Sequence, residues 1–198
     1  MKFLSPTTIS ISGTTNVGKT VWLLRMLREN MFEIEPKRII YFYGTWQDQF
    51  NDVKDIDFYH GLPETFDDFD SGGEHTVIVI DDLQDEVTKN KQVELLFTRG
   101  RHKKFTVIYL NQNLFYQGKH ARSIACNTHY TILFRNPRAA TQIKALGSQT
   151  GLRHIYEAFE DATKSQYGYL VVDLHPQTDR LYSLITNVFP GEDMVVYH

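Results

Sequence analysis

Apolar residues fall into short runs along this chain, and the spacing of those runs switches repeatedly between two-residue and helical periods. Residues 7–12 (TTISIS) alternate β-branched and small side chains and predict a strand. A glycine-bearing loop follows, then residues 19–30, rich in Leu, Arg and Met, which predict a helix. Residues 38–43 (RIIYFY) predict a second strand ended by Gly44, and a short strand is expected at 57–59. Gly72 and Gly73 mark a turn before residues 75–80, an almost unbroken β-branched run of the kind a strand needs when both its faces are covered. Residues 90–100 have helical spacing through Val93, Leu96 and Phe97. Residues 105–110 and 129–134 predict two more strands. Pro137 halts the second of these, and 138–146 and 152–162 read as helices. Residues 167–174 and 180–188, joined by a polar turn at 175–179, read as a terminal β-hairpin.

Repeated strand–helix alternation implies an α/β fold: a mostly parallel sheet flanked by helices on both faces. The 198 residues suit one domain, with a core at about 7–147 and a C-terminal helix and hairpin over 148–198. Composition agrees with a globular chain, at 41% hydrophobic, 13% aromatic and 23% charged, which excludes disorder, collagen and coiled coil. The longest apolar runs, such as 77–80 and 107–110, are far too short to span a membrane, and no secretory signal stands at the N-terminus. Cys126, the one cysteine, reads as a buried small residue, and an intracellular, soluble protein is expected. His60, His75, His129, His154 and His175 lack metal-ligand spacing.

The net charge of −3 argues against a uniformly basic nucleic-acid binder, but charge is unevenly spread. Acidic residues crowd 52–70 (Asp52, Asp55, Asp57, Glu64, Asp67, Asp68 and Asp70) and read as a solvated face. Basic residues cluster at 99–104 and 119–122.

The chemistry begins at Gly13-Thr14-Thr15-Asn16-Val17-Gly18-Lys19-Thr20, which fits G-x-x-x-x-G-K-[ST] in full between a predicted strand and a predicted helix. Glycines let the loop fold round an anion with its amides turned inward, and the helix start adds a positive dipole end. Lys19 can then reach the β- and γ-phosphates, and the Thr20 hydroxyl can ligate Mg²⁺. Residues 75–82 supply a second element, a buried strand ending in acids. Asp81 is placed to serve the metal, and Asp82 to polarise the attacking water, with Asp85 and Glu86 as competitors. The strand over 105–110 ends in Asn111-Gln112-Asn113. Gln112 is the first candidate for an amide that senses the γ-phosphate, and Asn111 the second.

The loop GTTNVGKT, the strand VIVIDD and the stretch Thr98-Arg99-Gly100-Arg101-His102 followed by FTVIYLNQN resemble the FtsK/HerA group of P-loop motor ATPases. Within it, the chain looks most like the genome-packaging ATPases of poxviruses, other large DNA viruses and Polinton/adintovirus elements. Asp82 stands where many members carry Glu. The resemblance covers about residues 7–147. It implies a RecA-like sheet of the ASCE type with the Gln112 strand between the phosphate-loop strand and the Asp81 strand. It further implies ATP as the nucleotide, hydrolysis coupled to translocation of double-stranded DNA, and a ring of five or six copies working with capsid or portal proteins. The location implied is inside the host cell, in cytoplasm, nucleus or virus factory, with association with the virion. One copy's arginine would complete its neighbour's site, with Arg101 as first candidate, Arg122 as second and Arg99 behind them. DNA contact would fall to two loops, 84–91 and 114–122, the second of which equally suits a subunit interface.

Two other classes fit parts of the sequence. A nucleoside or nucleotide kinase shares the length and the phosphate loop and would need a lid of arginines, for which Arg135, Arg138 and Arg153 are available. A structural protein could bind nucleotide to stabilise an assembly, although the complete set of Lys19, Thr20 and Asp81 argues for retained chemistry.

Overall fold

A computed structural model describes residues 1–51, 53–115 and 117–198. Asp52 of the acidic stretch and Tyr116 of the second candidate loop lie outside the described residues. The elements in chain order are β1 (Thr8–Ser12), α1 (Lys19–Arg28), β2 (Arg38–Tyr43), β3 (Asp57–His60), β4 (Thr76–Asp81), α2 (Gln84–Val87), α3 (Lys91–Arg99), β5 (Phe105–Asn111), α4 (Ala121–Cys126), β6 (Tyr130–Phe134), α5 (Ala140–Thr150), α6 (Ile155–Ala162), β7 (Tyr169–Asp173), β8 (Leu184–Thr186) and β9 (Val195–Val196).

Among the described residues, nine strands join one sheet in the order β3-β2-β4-β5-β1-β6-β7-β8-β9. The first six positions, β3 to β6, pair in parallel, and β7, β8 and β9 continue the sheet antiparallel. The Gln112 strand, β5, therefore lies between β1 and β4, as the family resemblance implied. The C-terminal pair β7–β8 forms the expected hairpin, shorter than its sequence limits and extended by β9.

Period-two alternation divides each central strand between two cores. Val77 and Val79 of β4 face the same side as Ile9, Ile11, Ile108 and Leu110, where Trp22, Leu23, Met26 and Leu27 of α1 cover them. Ile78 and Ile80 face the opposite side, under Val93, Leu96 and Phe97 of α3 and Ile124 of α4. Farther along that second side, Leu133, Leu170 and Val172 pack beneath α5 and α6. Both faces of the sheet are thus covered. Among the described residues, no helix is long and apolar enough to cross a membrane.

Local chemistry sets the ends of the helices. α1 stops at Arg28, two residues before the sequence limit, because Asn30 turns left-handed (φ 45°). α5 starts two residues late, since Asn136 Oδ1 accepts from the Arg138 amide and holds a turn there; Gly151 (φ 75°) ends it. Both segments read as loops contain a short helix, α2 in one and the start of α4 in the other. Cys126 needs correction too: it is exposed at the last residue of α4 rather than buried, because the apolar face of that helix is carried by Ala121 and Ile124.

Candidate functional site

The parallel strands β1, β2, β4, β5 and β6 end at the same edge of the sheet, where an α/β fold presents its ligand crevice. There the loop after β1 meets the ends of β4 and β5, and a cleft of about 1220 Å³ opens. Thr15, Asn16, Gly18, Lys19 and Thr20 of the loop line it, together with Asp81, Asp82, Asn111 and Gln112. Of the residues singled out in the sequence, the cleft brings together these five of the loop, the two acids, and the amides Asn111 and Gln112.

Each glycine of the loop is required for its own reason. A Cβ on Gly13 would lie 2.7 Å from Phe134 Cβ, so the loop can leave β1 beside β6 only without a side chain there. Gly18 sits at φ 96° and Asn16 at φ 63°, left-handed turns that glycine and asparagine tolerate best. Val17 points into the core beside α1, and Thr14 Oγ1 donates to the Arg135 carbonyl at 3.5 Å. Lys19 Nζ reaches back across the loop and donates to the carbonyls of Gly13 and Thr14, both at 2.8 Å. Burial pushes the Lys19 ammonium below the ordinary lysine value, while Asp81 and Asp82 pull it the other way.

The two acids have different surroundings. Asp81 is buried at the end of β4, where its Oδ2 accepts from Tyr41 OH at 2.7 Å and from Gln47 Nε2 at 3.3 Å. Burial raises its pKa above the usual carboxylate range, and the Tyr41 hydrogen bond opposes that shift. Asp82 is exposed, turned left-handed at φ 57°, and accepts from Thr45 Oγ1 at 3.0 Å. Neither Gly44, Thr45 nor Gln47 was singled out for chemistry in the sequence. The signal was present only as a glycine closing β2, whose last residue, Tyr43, is the register partner of Asp81.

Asn111 is buried, its amide nitrogen donating to Ser10 Oγ at 2.8 Å while its Oδ1 has no hydrogen-bond partner among the described residues. The neighbouring Gln112 is exposed at the cleft. An uncharged amide next to two carboxylates and an ammonium can hydrogen-bond a phosphoryl oxygen or a water without adding charge. The Thr20 hydroxyl and Asp81 carboxylate are hard oxygen donors facing one cleft, a donor set that fits Mg²⁺.

Arg99, Arg101 and Arg122 do not line the cleft. Arg101 lies in the 3₁₀ turn Gly100–Lys103 ahead of β5. That seven-residue strand, roughly 20 Å long, separates it from Asn111 at the cleft. Lys103, in the same basic cluster, pairs with Asp67 and Asp70, so part of the acidic stretch neutralises part of the basic one. The two candidate loops touch each other: the Thr88 carbonyl accepts from the His120 amide at 3.2 Å, and a Cβ on Gly118 would lie 2.4 Å from Thr88 Cβ. Leu114, His120 and Ala121 are buried, leaving Lys119 and Arg122 as the exposed cations of the second loop.

No family model matches the sequence, and neither does any curated protein. Solved structures do match. The crystal structure of B204, the DNA-packaging ATPase from Sulfolobus turreted icosahedral virus, superposes with a TM-score of 0.57 at 15% identity, over 88% of this chain and 95% of that one. The genome-packaging NTPase B204 from Sulfolobus turreted icosahedral virus 2 in complex with AMP gives a TM-score of 0.54 at 18% identity, over 87% and 94%. The same NTPase in complex with ATP-gammaS gives 0.54 at 16%, over 87% and 95%. The likeness is one of fold: a RecA-like P-loop NTPase sheet, with helices on both faces and an antiparallel C-terminal flank.

Proposed function

We propose that this chain is a P-loop ATPase of the FtsK/HerA group that hydrolyses ATP to move double-stranded DNA, packaging a viral or virus-like genome into a capsid. The observation that carries the reading is the convergence of Lys19, Thr20, Asp81, Asp82 and Gln112 on one cleft, in a fold shared over most of its length with packaging NTPases.

The loop amides and Lys19 hold the triphosphate, with the ammonium set against the β- and γ-phosphate oxygens. Thr20 and Asp81 are the residues that would hold Mg²⁺, which when bound offsets the charge on those phosphates. Tyr41 and Gln47 fix the Asp81 carboxylate in one orientation. Asp82, exposed and steadied by Thr45, takes the proton of the attacking water. Gln112, with the more rigidly held Asn111 behind it, orients that water against the γ-phosphate. The remaining cation comes from a neighbouring copy, because Arg101 stands at the far end of β5 from its own cleft. A ring meets that need, and Arg101, or failing it Arg122, is the finger. Lys119 and Arg122, exposed beside the cleft-linked loops, are the cations offered to DNA phosphate.

The kinase alternative finds no support in the lid it requires. Arg135 adjoins the loop through its carbonyl, yet neither it nor Arg138 nor Arg153 lines the cleft.

Phosphate release from MgATP, measured with linear duplex DNA or with nucleosides added, tests the proposal. Duplex DNA should raise the rate severalfold and nucleosides should not. A nucleoside that accelerates release and is itself phosphorylated would replace the translocase with a kinase.

A further inference from the structure

The cleft is larger than a triphosphate needs. Its volume of about 1220 Å³ exceeds the roughly 300–1,000 Å³ of ordinary small-molecule sites. Besides Lys19 and Thr20, its lining includes Val21, an exposed apolar side chain on the first turn of α1. It also includes Tyr167, Asn187 and Phe189 from the antiparallel flank of the sheet, and Arg25 of α1. Arg25 is fully engaged there: it pairs with Glu29 and Glu192, and its guanidinium lies 4.0 Å from the Phe189 ring centroid.

Two independent observations single out Tyr167. The residue is 61% exposed, yet its ring lies against the phosphate loop, since a Cβ on Gly18 would stand 3.1 Å from Tyr167 Cδ1. Its backbone also turns left-handed at φ 64°, a conformation costly for a bulky side chain. The next residue locks that turn: a Cβ on Gly168 would lie 2.3 Å from the Ala162 carbonyl oxygen, and the Gly168 amide donates to Ser165 O at 3.1 Å. The fold therefore maintains a strained residue to hold an exposed aromatic face above the loop.

We infer that Tyr167 stacks on the base of the bound nucleoside triphosphate, which makes the β7–β8 flank the nucleoside half of the site. The inference rests on the phosphate-site reading proposed above and assigns the part of the same cleft that the antiparallel flank lines. Val21 supplies apolar support between base and phosphates. A π-face contact accepts any base, in keeping with a chain that has no N-K-x-D motif for reading guanine.

Calorimetric titration of wild type, Tyr167→Ala, Tyr167→Gly and Tyr167→Phe with MgATP and with inorganic tripolyphosphate tests this. Glycine is included because it removes the ring while suiting the left-handed backbone, so its fold is preserved. Loss of the ring should weaken MgATP about tenfold in the alanine and glycine variants, and tripolyphosphate by less than twofold, while phenylalanine retains the wild-type affinity for MgATP. Unchanged MgATP affinity in Tyr167→Gly would overturn the base contact and leave the phosphate site standing. Parallel loss of both ligands would overturn it as well, by making Tyr167 a prop for the loop, and failure of phenylalanine to rescue would assign the effect to the hydroxyl. A wild type that binds neither ligand would sink the phosphate-site reading itself and this inference with it.

Discussion

Asp81 and Asp82 adjoin in sequence and differ in almost every physical respect. One is buried and clamped by a tyrosine hydroxyl; the other is exposed and turned left-handed. That turn has a cost at another position. The Asp82 carbonyl lies 2.3 Å from where a Cβ on Gly44 would stand. Gly44→Ala is expected to destabilise the fold by about 1–3 kcal/mol and to lower ATP turnover in protein that remains folded, as denaturant titration and a phosphate-release assay would measure. Unaltered stability and turnover would mean the carbonyl can move freely. The acids were legible in the sequence because a β-branched run ending in Asp-Asp after a phosphate loop has few other readings. Tyr41, 40 residues from Asp81, was not. Its role comes from strand pairing, which no local pattern encodes.

At the scale of elements, long periodic segments were legible and short ones were not. α2 has four residues, less than two turns, and its only inward residue is Val87. Pairing with the second candidate loop through Thr88 gives it order, and that contact is long-range. The end of β7 shows how a strand boundary carries electrostatics. Asp173 is buried, and burial pushes its carboxyl up from 3.8 to about 6, against hydrogen bonds from the His175 amide and the Thr178 hydroxyl. The folded chain therefore binds this proton more tightly than the unfolded chain, so the contribution of Asp173 to stability falls as pH rises from about 4 to about 6. Asp173→Asn should gain on wild type across that window by about 2 kcal/mol, followed by thermal unfolding at a series of pH values. A difference that does not vary with pH would acquit the carboxyl.

For the molecule as a whole, the family resemblance implied the central order β4-β5-β1, and the strands outside those three had no motif to place them. Arg101 stands at the opposite edge, and the proposed shared site would take it from a neighbouring copy. If neighbours share sites, two crippled chains should rescue each other. A mixture of Lys19→Ala, which keeps the finger, with Arg101→Ala, which keeps the site, is expected to hydrolyse ATP well above the mean of the two alone. No gain on mixing would remove Arg101 from the shared site and pass the same test to Arg122. The antiparallel flank adds a mechanical consequence. Trp22 packs edge-on against Tyr169 and Phe189, and Arg25 is bonded to Glu192, so α1 and that flank are bolted into one lever. In the proposed motor, a tug on the outer strands would reach the phosphate loop through those same few side chains, coupling load to the hold on nucleotide.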